Sequence, residues 1–182
     1  PNSLRTFFGQ EHLLAEHLPL RRAIDTGEIH SMIFWGPPGV GKTTLARIAA
    51  KETKAVLIEL SAVMSGMVDI RKAIEIGKSN VTIGKKTLVF VDEVHRFNKS
   101  QQDSFLPYIE DGTIHFIGAT TENPAFEINN ALLSRCSVYK LESLSVEVLI
   151  DLFMEALSSK NEQIPHFSNG HLEKVAVDAD GE

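Results

Sequence analysis

Gly36-Pro37-Pro38-Gly39-Val40-Gly41-Lys42-Thr43-Thr44 sets one ammonium and two hydroxyls directly after a glycine-rich, proline-stiffened turn. The spacing fits G-x-x-x-x-G-K-[ST], a loop whose backbone N–H groups wrap phosphate oxygens where no side chain blocks the approach. Gly39 and Gly41 suit that curve. A helix opening at Lys42 would turn its unpaired N–H groups and its dipole on the same phosphates. On this pattern Lys42 reaches the β and γ phosphates of a nucleotide, and Thr43 offers its hydroxyl to Mg²⁺. Taken alone, the segment could be an ordinary glycine-rich turn. A strand-length apolar run before it and the helical pattern LARIAAKE after it favour the cradle.

A metal between phosphates needs another oxygen donor. LVFVDE, residues 88–93, supplies one: four apolar residues of a buried strand deliver Asp92 to the carboxyl end of a sheet, where open α/β sheets hold ligands. Asp92 would hold Mg²⁺ through its water shell, and Glu93 could orient and deprotonate an attacking water. Adjacent acids after a strand also serve as helix N-terminal charges. Their place downstream of a phosphate loop favours the catalytic reading.

These residues need a scaffold, and the chain alternates in a way that provides one. Apolar runs at Met32–Trp35, Ala55–Leu60, Thr87–Val91, Ile114–Ala119 and Val138–Leu141 have strand length. Between them LARIAAKE, IRKAIEIG and SQQDSFLPYIEDG have helical spacing, and LPLRRAIDTG reads as a further helix that Pro19 opens and Gly27 stops. Alternation of this kind predicts an α/β fold in three layers, with a five-stranded parallel sheet between helices. After Leu141 the pattern changes. SVEVLIDLFMEALSSK is an amphipathic helix with Ser145 as its N-cap, and HLEKVAVDADGE begins another. The domain expectation is therefore 1–142 for the nucleotide-binding α/β domain and 143–182 for the start of a small helical unit.

Composition bounds the rest. At 182 residues, 43% hydrophobic and 23% charged, the chain is ordinary globular protein. No apolar run approaches the roughly 18 residues of a membrane helix, and the opening residues do not have the order of a secretory signal. The expectation is a soluble protein with no membrane partner. A lone cysteine, Cys136, permits no internal disulfide. The net charge of −6 argues against a surface that binds nucleic acid everywhere, but Arg71, Lys72, Lys78, Lys85, Lys86, Arg96 and Lys99 fall close together in the chain. They read as a solvated face or as a local phosphate-tracking patch, with the helix N-terminus near Ser65 and Gly66 beside it.

GPPGVGKTT with VDEVHRF, then GATTENP and LLSRC, resembles the AAA+ ATPases of the clamp-loader-like branch. FGQEHLL, DEVHRFNKSQQDSFLPYIEDGTI and IGATTENPAFEINNALLSRC resemble its RarA/MgsA subfamily, over most of residues 4–145. The resemblance implies a P-loop NTPase core with a helical lid, ATP or ADP with Mg²⁺, and DNA-stimulated ATP hydrolysis. It also implies work in replication, recombination and repair at stalled or gapped forks.

Carried over by position, Thr121 matches sensor 1, where a polar side chain meets the γ phosphate or the attacking water. Arg135 matches the arginine finger, which acts on a neighbouring subunit's nucleotide and so implies a homo-oligomer. Phe8, Gly9 and Gln10 match the segment beside the adenine. Ser61 stands where many relatives carry an asparagine that restrains the glutamate. The family also has an arginine before the position of Pro1, a sensor 2 arginine just beyond AVDADGE and a later oligomerisation domain. Residues 143–182 thus read as a lid cut before sensor 2, and these 182 residues alone as weak nucleotide binders with poor turnover.

The implied partners are DNA ends or single-strand/duplex junctions without sequence preference, and fork proteins such as a single-strand-binding protein. The implied location is cytoplasmic and nucleoid-associated in a bacterium, or nuclear in a eukaryote. Other classes stay open. An ATP-gated structural subunit usually lacks the lysine, the glutamate or the finger, and all three are here. A protein remodeller would thread polypeptide past an aromatic pore loop, and SAVMSGMVD has no aromatic residue. The seven histidines show no metal-ligand spacing and read as surface or core residues.

Overall fold

Five short runs form five strands: β1 (Met32–Trp35), β2 (Val56–Ser61), β3 (Thr87–Asp92), β4 (His115–Thr120) and β5 (Ser137–Lys140). All neighbouring pairs are parallel, in the order β2-β3-β4-β1-β5. The computed structural model describes residues 3–146, 148–150, 152 and 154.

The central strands are buried on both faces, which explains why their sequences lack polar alternation. Met32, Phe34, Leu88, Phe90, Ile117 and Ala119 pack on one side of the sheet with α2 (Pro19–Thr26) and α3 (Lys42–Glu52). Ile33, Val89, Val91 and Phe116 pack on the other with α4 (Met67–Thr82). The result is the three-layer α/β arrangement predicted from the alternation. Phe34, Phe105 and Phe116 are each fully enclosed, worth about 1.5–3 kcal/mol apiece.

The helices begin and end for local reasons. Pro19 occupies the first turn of α2, where its missing N–H costs nothing, and Gly27 closes it in the left-handed region at φ 72°. SQQDSFLPYIEDG is predicted as one helix but forms two, Lys99–Asp103 and Leu106–Glu110. The break follows from Pro107, which has no N–H to continue the ladder and is accommodated only in a new first turn. Asn98 caps the first of these helices through its side chain, which accepts the Gln101 N–H at 2.9 Å. Phe105 still reaches the core, beside Phe97 and Phe116.

Parallel pairing brings the carboxyl ends of the strands to one edge. Trp35 is in register with Thr120, and Ser61 with Asp92. The Gly36 N–H continues the ladder to the Thr120 carbonyl at 3.1 Å, and the Ala62 N–H to the Asp92 carbonyl at 2.9 Å. The loops after β1, β3 and β4 therefore open on the same end of the sheet.

Among the described residues, 3–7 and 11–142 form one compact unit, and residues 8–10 group with those from Ser143 to 154 in a second. Within that second unit Gly9 lies against Leu144 so closely that a Cβ would come within 2.6 Å of its side chain. Ser145 Oγ accepts the Val148 N–H at 3.4 Å, and residues 146, 148–150, 152 and 154 are helical. The remainder of that predicted helix and HLEKVAVDADGE lie outside the described residues. Among the described residues no helix is long and apolar enough to cross a membrane.

Candidate functional site

The glycine-rich loop passes from the end of β1 into α3 through two left-handed residues, Gly39 at φ 79° and Gly41 at φ 96°. Gly41 is the N-cap of α3, and a side chain there would be strained and would meet the Phe7 ring at 2.8 Å. Gly36 is required for a different reason: a Cβ would sit 2.3 Å from the backbone carbonyl oxygen of Leu141. The Val40 side chain is buried in the core and anchors the middle of the loop. Beyond Gly41 the first N–H groups of α3 have no partner within the helix.

A cavity of about 310 Å³ lies over this turn, lined by Pro38, Gly39, Gly41, Lys42, Thr43, Thr44, Asp92 and Glu93. Two segments fifty residues apart in the chain thus meet at one concave surface. Gly36, Pro37 and Val40 frame the loop without lining the cavity. Lys42 is buried, and its Nζ donates to the carbonyl oxygens of Gly36 at 2.6 Å and Pro37 at 2.7 Å. Burial pushes the Lys42 pKa down, while the carboxylates of Glu93 and Asp92 act in the opposite direction and favour the charged form. A phosphate oxygen would exchange neutral carbonyl acceptors for a charged one, a stronger partner for an ammonium.

Thr43 and Asp92 bring hard oxygen donors to the same cavity, which suits a divalent cation completed by phosphate oxygens and water. Among the described residues no group of three or more His, Cys, Asp or Glu side chains could hold a metal by itself. Glu93 follows in the left-handed region, at φ 52° and ψ 45°, with its N–H donating to Asp92 Oδ1 at 3.2 Å. That turn brings to one cavity two consecutive carboxylates, which an extended chain would send to opposite faces.

Thr121, the sensor candidate, stands half-buried just after β4 and does not line the cavity. Its neighbour Thr120 is fully buried and lies 2.9 Å from His95 Nδ1 through its hydroxyl oxygen. The other ring nitrogen of His95 lies 3.3 Å from the Glu93 carboxylate. Sequence reasoning left His95 among surface or core residues and did not single out Thr120. The spacing of Glu93 and His95, two residues apart in the same tight turn, is the signal that could have found the pair.

Arg135 stands elsewhere, after the short helix Asn130–Leu133 and before β5, away from the lysine cavity. Its guanidinium binds the Glu110 carboxylate and donates to the Ala131 carbonyl at 2.7 Å. Phe8, Gly9 and Gln10 belong to the second unit, with Gly9 and Gln10 both at positive φ. Of the basic cluster, Lys78 is committed to Glu75 and the Tyr108 ring, and Lys86 donates to the Gly27 carbonyl. Arg71 and Lys72 flank a shallow depression on α4 with Val68 and Ile76. The Asp69 carboxylate accepts the Gly66 N–H at 2.9 Å, so an acid already sits at the N-terminus of α4 where a phosphate contact was considered.

The chain is 58% identical over 160 residues to replication-associated recombination protein A of Escherichia coli K12, a match that covers 88% of this chain and 36% of that protein. It is 49% identical over 157 residues to ATPase WRNIP1 of Dictyostelium discoideum, covering 86% of this chain and 18% of that one. The chain thus spans about a third of the length of the bacterial relative. Among solved structures, the RuvB Holliday junction branch migration motor of Thermotoga maritima superposes with a TM-score of 0.74 at 26% identity, covering 97% of this chain and 58% of that one. The model of the ATPase family associated with various cellular activities (AAA) matches residues 32–142, a span that contains the loop, Asp92, Glu93, Thr121 and Arg135. By that match, which takes in both halves of the cavity, the chain belongs to the AAA family.

Proposed function

We propose that this protein binds ATP with Mg²⁺ at the cavity over Gly36–Thr44 and hydrolyses it in a DNA-stimulated cycle that serves replication and recombination. The observation that carries the reading is the convergence of Lys42, Thr43, Asp92 and Glu93 on one cavity at the carboxyl end of a parallel sheet. In the proposed cycle the loop N–H groups and Lys42 hold the phosphates, and Thr43 and Asp92 hold the cation. A cation held by Thr43 and Asp92 would supply neutralisation of the phosphate charge. Glu93 accepts a proton from the attacking water, and Thr121 contacts the γ phosphate or that water. Phe8, Gly9 and Gln10 are assigned to the adenine by their position in the family pattern.

Arg135 lies apart from the lysine cavity, which supports its assignment to a neighbouring subunit's γ phosphate in a ring or partial ring. DNA as the partner is supported by the names of the relatives and by Arg71 and Lys72 on α4. Such contacts read phosphates and carry no base information, so the expected preference is for ends and junctions and not for sequence. The test is steady-state ATP hydrolysis by the full-length protein with and without forked or gapped DNA. Stimulation supports the reading; hydrolysis indifferent to every DNA form replaces it with a nucleotide-gated assembly whose partner is protein.

A further inference from the structure

His95 touches two groups of different origin, and neither contact is required by the fold's backbone. Its Nε2 lies 3.3 Å from Glu93 Oε2, and its Nδ1 lies 2.9 Å from Thr120 Oγ1 at the tip of β4. The ring is nearly enclosed, with its side chain 12% exposed. Its backbone is fixed by the tight turn Val94–Arg96, in which the Arg96 N–H donates to the Glu93 carbonyl at 2.8 Å. On the far side, Thr120 Oγ1 accepts the Glu122 N–H at 3.0 Å, which leaves the hydroxyl proton to donate elsewhere. The two acceptors in reach are His95 Nδ1 at 2.9 Å and the Glu122 carbonyl at 3.3 Å.

Donation to the nearer acceptor corresponds to one tautomer of His95. With the threonine proton given to Nδ1, the ring carries its own proton on Nε2, where it faces the glutamate carboxylate. The Nε2–H then donates toward Oε2 of Glu93 and leaves the other carboxylate oxygen uncommitted by this contact. The chain of contacts runs from Glu93 at the end of β3, through the imidazole, to the residue next to Thr121 at the end of β4.

We infer that His95 is a positioning residue that ties the Glu93 carboxylate to the tip of β4. The inference rests on the reading of Glu93 as the base of ATP hydrolysis. A displacement of Thr120 and Thr121 against a phosphate is passed to Glu93 through the ring, so the base is aligned when the strand tip is engaged. Nucleotide affinity, which depends on the loop and Lys42, does not depend on this link.

The experiment is steady-state and single-turnover hydrolysis by full-length wild type, His95→Ala, His95→Gln and Thr120→Val, with fluorescent-nucleotide binding and melting temperature for each. Glutamine presents an amide oxygen and an amide N–H on one plane, as the imidazole presents its acceptor and donor. The expected result is a kcat about tenfold lower in His95→Ala, with KM and nucleotide Kd within twofold of wild type and recovery in His95→Gln to within threefold. Thr120→Val lowers kcat in the same way, and combining it with His95→Ala adds little, because both break one chain.

The inference is overturned if His95→Ala turns over at the wild-type rate, if its loss lies in nucleotide affinity or folding alone, or if glutamine is no better than alanine. Should His95→Ala fail to fold, the comparison of His95→Gln with Thr120→Val decides by the same kcat split. Glu93→Gln is measured in parallel. If it abolishes turnover while the His95 variants do not, only the positioning role fails; if it turns over normally, the glutamate assignment and this inference fail together.

Discussion

Lys42 Nζ donates to the carbonyl oxygen of Gly36 at 2.6 Å, spanning the loop whose last residue it follows. The same ammonium is therefore the loop's internal clasp and its candidate phosphate ligand. Lys42→Ala is expected to weaken ATP and ADP binding at least a hundredfold, read by fluorescent-nucleotide titration. It also leaves the buried Gly36 carbonyl without its donor, at about 1–3 kcal/mol. The melting temperature should fall by several degrees even without nucleotide, a change that Lys42→Arg should partly prevent.

Gly36 and Gly39 separate two reasons for glycine in one loop. At Gly36 a methyl group would overlap the Leu141 carbonyl oxygen, so Gly36→Ala must shift backbone and is expected to cost about 1–3 kcal/mol. Gly39 has open space around it but a φ of 79°, so Gly39→Ala pays about 1–2 kcal/mol for conformation alone. Urea unfolding should show both losses. Only Gly36→Ala should also displace β5, read as faster amide exchange in Ser137–Lys140.

Arg135→Ala tests the shared site. With its guanidinium bound to Glu110 on its own subunit and apart from the lysine cavity, the arginine should contribute nothing to nucleotide affinity. In the full-length protein, turnover is expected to fall by about 10³ at unchanged Kd. Mixing the variant into wild type should lower activity by more than dilution. A loss seen only as weaker nucleotide binding would remove the trans role.

His115 gives a pH dependence whose sign can be worked out. Burial, with Lys86 and His30 nearby, holds its pKa below the ordinary 6.5; burial acts the same way on His30. The unfolded chain therefore binds protons in a range where the native protein does not. Stability is complete above about pH 7 and is lost as pH falls past 6.5 toward the lowered value. Urea midpoints at pH 7.5 and 5.5 should differ less in His115→Gln than in wild type.

Much of this was legible from local pattern. The apolar runs gave the strands within a residue or so, because buried central strands need continuous hydrophobicity. That the loop and LVFVDE meet at one cavity could be read because each is a contiguous motif. The link from His95 to Thr120 could not, since it depends on parallel register: Val91 beside Gly118 sets the two strand tips side by side. Charge clustering misled in part for the same reason. Lys78 and Lys86 are close in sequence to Arg71 and Lys72, yet tertiary packing commits them to Glu75, Tyr108 and Gly27. Pro107 was a visible break signal that the apolar spacing of Phe105, Leu106 and Ile109 outweighed.

The central claim is that Glu93 performs the chemistry at a site that Lys42 and the loop assemble. The most direct measurement is single-turnover ATP hydrolysis by full-length wild type and Glu93→Gln at saturating nucleotide, with the affinity of each determined alongside. The account predicts unchanged or tighter ATP binding and a rate lowered by about 10²–10⁴. Hydrolysis by Glu93→Gln at the wild-type rate would contradict it.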